Sequence, residues 1–148
     1  MIESEQRTAI VEEARQWIGS RFAMNASVRG VAADCGRLPH AVYGACGITV
    51  PDLPRHWPRD FMCNKMADSE PYLALIQQAM VEVQVPLAGD LAVFKPVRSR
   101  CFSHAAIVVQ WPKVIHARGV GAHPQVESAS ALEWPLAGCP VRFFSAFK

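Results

Sequence analysis

The hydrophobic period of this chain changes once, near its middle, and that change decides its fold class. In the first half, apolar residues recur at helical spacing. Ile10, Val11, Ala14, Trp17 and Ile18 mark a helix over residues 4–18, with Ser4 as N-cap, Glu5 in the first turn and Gly19 as the stop. Leu38, Val42 and Ala45 share one face of a second helix from Cys35 to Ala45, with Pro39 near its first turn and Gly47 ending it. A third helix fits residues 69–83, where Tyr72, Leu75, Ile76, Ala79, Met80 and Val83 form the apolar stripe. Beyond Pro86 and Gly89 the period becomes two. Asp90–Phe94 reads as a strand, and residues 103–109, 113–117, 124–128 and 140–145 read as further strands. Helices first and strands afterwards predict an α+β domain, with N-terminal helices packed on a C-terminal antiparallel sheet. Residues 19–33 show no period and read as an exposed loop. Residues 50–60, with Pro51, Pro54 and Pro58 around Trp57, read as an extended connection.

A length of 148 residues predicts a single domain over residues 1–148, and an apolar fraction of 51% is enough for a core without disulfide staples. No apolar run is long enough to span a bilayer, so no membrane partner is expected. The opening Met1-Ile2-Glu3-Ser4-Glu5-Gln6 lacks the basic and then apolar layout of a signal peptide. The expectation is a chain kept in a cytoplasm, or exported by packaging into something larger. The net charge of +2 is scattered, and its densest cluster, Lys95, Arg98 and Arg100, reads as a solvated loop, so no nucleic-acid partner is expected. Five cysteines at irregular spacing, with no C-x-x-C pair, argue against a disulfide framework and a structural zinc site.

Cys35 is the candidate nucleophile. It opens a helical pattern, where backbone amides carry partial positive charge and favour thiolate over thiol. Two histidines can serve it. Alternation in Ser103-His104-Ala105-Ala106-Ile107-Val108 puts His104, Ala106 and Val108 on one sheet face. A hairpin centred on Trp111 sets position 116 opposite 106, so His104 and His116 become diagonal neighbours with α-carbons roughly 7–8 Å apart. A slip of one residue would put them on opposite faces. In that arrangement Cys35 attacks, His104 exchanges protons, and His116 orients His104; amides at the helix start hold the oxyanion. Spacing alone leaves a packed cysteine and two structural histidines standing beside the triad. It also leaves a zinc site built from Cys35, His104 and His116, with or without Cys101. His40, His56 and His123 read as ordinary structural residues.

The motif order resembles the NlpC/P60 family of papain-like cysteine peptidases, in its phage tail assembly and phage cell-wall peptidase branch. The residues that carry the resemblance span nearly the whole chain. They begin with Ala14-Arg15-Gln16-Trp17-Ile18-Gly19, Val28-Arg29-Gly30-Val31, Asp34-Cys35 and Gly44-Ala45-Cys46-Gly47-Ile48. Gly89-Asp90-Leu91-Ala92-Val93-Phe94, Ser103-His104-Ala105-Ala106-Ile107-Val108 and Val114-Ile115-His116-Ala117 follow. The resemblance implies a papain-like fold, no cofactor and no metal. It implies a cysteine peptidase acting on amide bonds in bacterial peptidoglycan stem peptides, commonly beside D-γ-glutamyl units. It maps nucleophile, base and third polar residue onto Cys35, His104 and His116. Asp34 takes the place where relatives recognise a substrate amine, a role that can coexist with helix capping. Ser103 and Phe22 fall at substrate-contacting positions. Relatives commonly carry tyrosine where Phe22 stands, and Gly36 and Arg37 also depart from the family pattern. The branch implies other phage tail proteins as partners, and a passage from the host bacterial cytoplasm to the virion tail. The departures motivate an alternative: a weak or inactive structural tail-assembly protein that keeps the fold.

Overall fold

The computed structural model describes residues 2–57 and 69–147. Its helices are α1 (Glu3–Arg15), α2 (Arg37–Ala45) and α3 (Pro71–Ala79). Three short strands separate the first two: β1 (Arg21–Phe22), β2 (Ser27–Val28) and β3 (Ala32–Ala33). The larger sheet is built from β4 (Val81–Val83), β5 (Leu91–Phe94), β6 (His104–Gln110), β7 (Lys113–Ala117), β8 (Val126–Ser130) and β9 (Val141–Ser145). Its order is β4-β9-β5-β6-β7-β8, and every neighbouring pair runs antiparallel.

The alternation read from the sequence determines which face each strand residue covers. Leu91, Val93, Ala105, Ile107, Ile115, Ala117 and Phe144 point toward the helices, where they meet Ile10, Ala14, Trp17, Leu38, Val42, Tyr72 and Ile76. The opposite face is not open. Ala92, Phe94, Ala106, Val108 and Val114 form a second, smaller core, closed by Ala131 and Leu136 and by the half-buried Trp111 and Phe143. The antiparallel sheet and its helices thus match the expected α+β class, with a second apolar layer added.

Three expectations are corrected. The opening helix ends at Arg15 and is capped by Ile2 without a side-chain bond; Ser4 lies inside it, where its carbonyl accepts from the Thr8 hydroxyl. Residues 16–18 then continue in tighter turns bonded three residues back, which leaves Ile18 exposed. The third helix stops at Ala79, because Val81-Glu82-Val83 alternates and pairs with the edge of the sheet at β9. Residues 19–33 are not merely an exposed loop: β1 runs parallel to β3 and β2 antiparallel to it. Strands of two residues carry no detectable period. The described part of the proline-rich connection is irregular and buries Trp57 at its end; residues 58–60 of that reading lie outside the described residues, as do residues 61–68.

Candidate active site

The chain turns into α2 around Asp34, and that turn places Cys35. The Asp34 side chain is fully buried, and its Oδ1 accepts from the amides of Gly36 at 3.1 Å and Arg37 at 2.8 Å. The Asp34 carbonyl accepts from the Leu38 amide at 3.1 Å, starting the first helical turn. Cys35 therefore precedes the helix proper, half-buried, at the wall of a cleft of about 320 Å³. Phe22 and Met24 line the cleft from the small sheet and the turn after it, Phe94 and His104 from β5 and β6. Arg118, Gly119 and Val120 line it from the segment after β7, and Pro135, Leu136 and Cys139 from the last long turn.

The hairpin register is the one expected: Ala106 pairs with His116, Ile107 with Ile115 and Val108 with Val114, and a bulge follows before Gln110 meets Lys113. The two histidines consequently share a face. Their rings stand nearly perpendicular at 87°, with centroids 5.0 Å apart, and Nε2 of His104 lies 2.8 Å from Nδ1 of His116. His116 is fully buried, and its Nε2 faces Oε2 of Glu127 at 3.1 Å across the β7–β8 pair. Glu127 was absent from the sequence reading. Continuing the same alternation across one more strand places it opposite His116, so a signal for it existed.

Electrostatics depart from the expected thiolate. The Cys35 thiol is pushed up to about 12, first by burial and then by the Asp34 carboxylate, against opposing amides of Cys35, Gly36 and Ala105. His104 is pushed down to about 3 by burial and by His116. His116 is also lowered by burial, against the raising effect of Glu127. Thiol and imidazole are therefore both neutral at rest. Sγ of Cys35 donates to the Ser103 carbonyl at 3.7 Å, so the resting sulfur is turned toward the backbone just before β6. With Nε2 of His104 committed to His116, its Nδ1 is the nitrogen left to exchange a proton in the cleft.

The remaining expected site residues fall differently. Phe22 lines the cleft, packed so closely on Gly119 that a Cβ there would lie 2.9 Å from the ring. The Ser103 hydroxyl lies 3.4 Å from that of Ser99, and its carbonyl serves the sulfur. Asp34 is committed internally. Besides the two amides on Oδ1, its Oδ2 accepts from the Asn25 amide at 2.8 Å and the Trp57 indole at 3.1 Å, and Nε of Arg37 lies 3.6 Å away. Four donors reach the four lone-pair positions of a carboxylate, which accounts for Asp34 as a cap. The same bonds occupy the amides of Gly36 and Arg37, which corrects the expected oxyanion donors; the Cys35 amide remains. Arg37 does not point to solvent. Its guanidinium lies 4.3 Å over the Trp57 ring and donates to the Pro54 carbonyl. A zinc site on the two histidines is disfavoured by their bonding, since both nitrogens of His116 are engaged. Cys101 lies outside the cleft, with its thiol 3.5 Å from the Ser69 carbonyl.

No protein-family model matches the sequence, and no curated protein is significantly similar to it. Solved structures do match in fold. A protein similar to a lipoprotein of the NLP/P60 family from Staphylococcus aureus superposes with a TM-score of 0.64 at 18% identity, covering 95% of this chain and 42% of that one. The chain thus spans less than half the length of that relative. The NlpC/p60 domain of the peptidoglycan hydrolase SagA gives 0.57 at 22%, covering 92% of this chain and 96% of the domain. RipD from Mycobacterium tuberculosis, a non-catalytic NlpC/p60 domain protein adapted to peptidoglycan binding, gives 0.59 at 14%, covering 95% and 96%. The described helices and antiparallel sheet of this chain have the fold of these NlpC/P60 structures.

Proposed function

We propose that this protein is a cysteine peptidase that hydrolyses amide bonds in bacterial peptidoglycan stem peptides. The observation that carries the reading is the shared cleft of Cys35 and His104, with His104 backed by His116 at 2.8 Å. The likeness to the SagA peptidoglycan hydrolase domain supports the substrate class. In the proposed cycle the thiol proton passes to Nδ1 of His104 as Sγ attacks the scissile carbonyl carbon. The imidazolium returns that proton to the leaving amine as the C–N bond breaks. Water then hydrolyses the thioester, giving a carboxylic acid and regenerating the thiol. Mass analysis of stem-peptide digests tests this. Wild-type protein should release new termini, and Cys35→Ala should release none while keeping wild-type circular dichroism. Equal cleavage by the variant rejects the mechanism.

A second reading keeps the fold without turnover, as in a tail-assembly protein or a peptidoglycan binder. It is favoured by the thiol held up at about 12 and bonded to a backbone carbonyl, and by the likeness to non-catalytic RipD. Under it, wild-type and Cys35→Ala proteins bind stem peptides equally and neither cleaves them. We also propose residence in a phage or prophage tail after synthesis in the host cytoplasm, supported by the motif resemblance alone. Immunogold labelling of induced particles tests that placement.

A further inference from the structure

Glu127 terminates the histidine chain and is shared between two donors. Register sets it directly opposite His116 in the β7–β8 pair. Oε2 faces Nε2 of His116 at 3.1 Å, and Oε1 accepts from Nε of Arg118 at 2.9 Å. An ionised carboxylate offers only lone pairs, so the His116 nitrogen facing it carries the proton. A neutral imidazole has one N–H. Nδ1 of His116 is therefore bare, and it can only accept from Nε2 of His104, 2.8 Å away. That uses the one proton of a neutral His104 and leaves its Nδ1 as a lone pair.

We infer that Glu127, held by Arg118, is a positioning residue that sets the tautomer of both histidines and so presents a proton-accepting Nδ1 to the cleft of Cys35. Its consequence for turnover rests on the peptidase reading; the tautomer order rests on the geometry of the chain. Burial lowers both rings toward the neutral form, in which each carries one N–H. Arg118 makes the device directional. Its terminal nitrogens donate to the carbonyls of Val120, Ala122 and His123, so the guanidinium is anchored from both ends. It is a donor that cannot become an acceptor.

Glu127→Gln separates positioning from mere bulk. The single amide oxygen goes to Arg118, and the amide NH2 then faces His116. His116 must present a bare Nε2 and carry its proton on Nδ1, which reverses the bond to His104. The His104 proton moves to Nδ1, and the thiol meets an N–H instead of a lone pair. Nitrogen-15 correlation spectra of the imidazoles read this directly. At pH 7 the wild-type rings should both be Nε2–H. In Glu127→Gln both should be Nδ1–H, with circular dichroism unchanged. Stem-peptide kcat should fall on the order of 100-fold with KM nearly constant, the loss expected when general-base catalysis is removed. An Nδ1–H form of either ring in the wild type overturns the inference, and this spectrum decides if the variant fails to fold. Unchanged tautomers in a folded variant overturn it as well. Should the wild-type protein cleave no stem peptide, the peptidase reading fails, and the spectra still judge the role of Glu127.

Discussion

At the scale of single residues, burial outweighs the helix start in setting the state of Cys35. Partial charges at a helix N-terminus lower a thiol's pKa, and three amides near the sulfur act in that direction. The amides of Gly36, the N-cap of α2, and Arg37, its first residue, are already satisfied by Asp34, and the same carboxylate places a negative charge beside the sulfur. The residue that shapes the turn thus also helps hold the Cys35 thiol protonated. The consequence is visible in alkylation. Below its pKa, a thiol gains about tenfold in thiolate per pH unit. Iodoacetamide modification of Cys35, followed by peptide mapping to separate it from the other cysteines, should climb about tenfold per unit from pH 7 to pH 10. A thiolate–imidazolium pair would instead give a plateau beginning below pH 8, and that plateau would show the resting thiol to be ionised.

Among the elements, α1 is fastened to the sheet by Arg7, which no hydrophobic pattern marks. Its guanidinium bonds Asp90 Oδ1 at 2.8 Å, the Ala88 carbonyl at 2.9 Å and the Ser145 hydroxyl at 3.2 Å, and Glu3 from its own helix at 2.9 Å. Asp90 is buried and also accepts from the Leu87 amide at 2.8 Å, so the pair closes the turn that feeds β5. Arg7→Ala leaves that carboxylate buried without its counter-charge, which costs about 3 kcal/mol. Urea unfolding at pH 7 measures it, and a loss below about 1 kcal/mol would mean that water replaces the guanidinium. The contrast with the apolar pattern explains what could be read in advance. Helix α1 and the longer strands were legible because their apolar residues repeat a period that burial enforces; α2 was legible from Leu38 and Val42, both buried, whereas Ala45, read on the same face, is exposed. The two-residue strands β1 to β3 repeat nothing, and β4 was hidden because Val83 fits a helical stripe as well as an alternating one. In the candidate site, His104 and His116 were legible because a single hairpin relates them. Asp34 was half legible, as a cap, whereas its saturation by Asn25 and Trp57 depends on segments with no period of their own.

For the molecule as a whole, the two faces of the sheet do different work. One carries the main core against the helices; the other carries the smaller core, beside which His116 is buried and His104 half-buried against Phe94. Burying neutral imidazoles there ties the stability of the whole fold to pH. His104 is pushed down to about 3 from an ordinary value of 6.5, so below pH 6.5 the unfolded chain takes up a proton that the folded chain refuses. Its contribution is intact above pH 6.5 and is lost as pH falls from there toward 3. Between pH 7 and pH 5 the difference amounts to about 2 kcal/mol, since each pH unit below 6.5 costs about 1.4 kcal/mol. His104→Gln removes the titration while keeping a side-chain donor for Nδ1 of His116. His116 keeps a side-chain partner on Nδ1 in both proteins. Urea unfolding at the two pH values should show the wild type losing about 2 kcal/mol more than the variant. Parallel losses would mean that the folded protein accepts a proton at His104 nearly as readily as the unfolded chain, and that the second face of the sheet is wetter than its packing indicates.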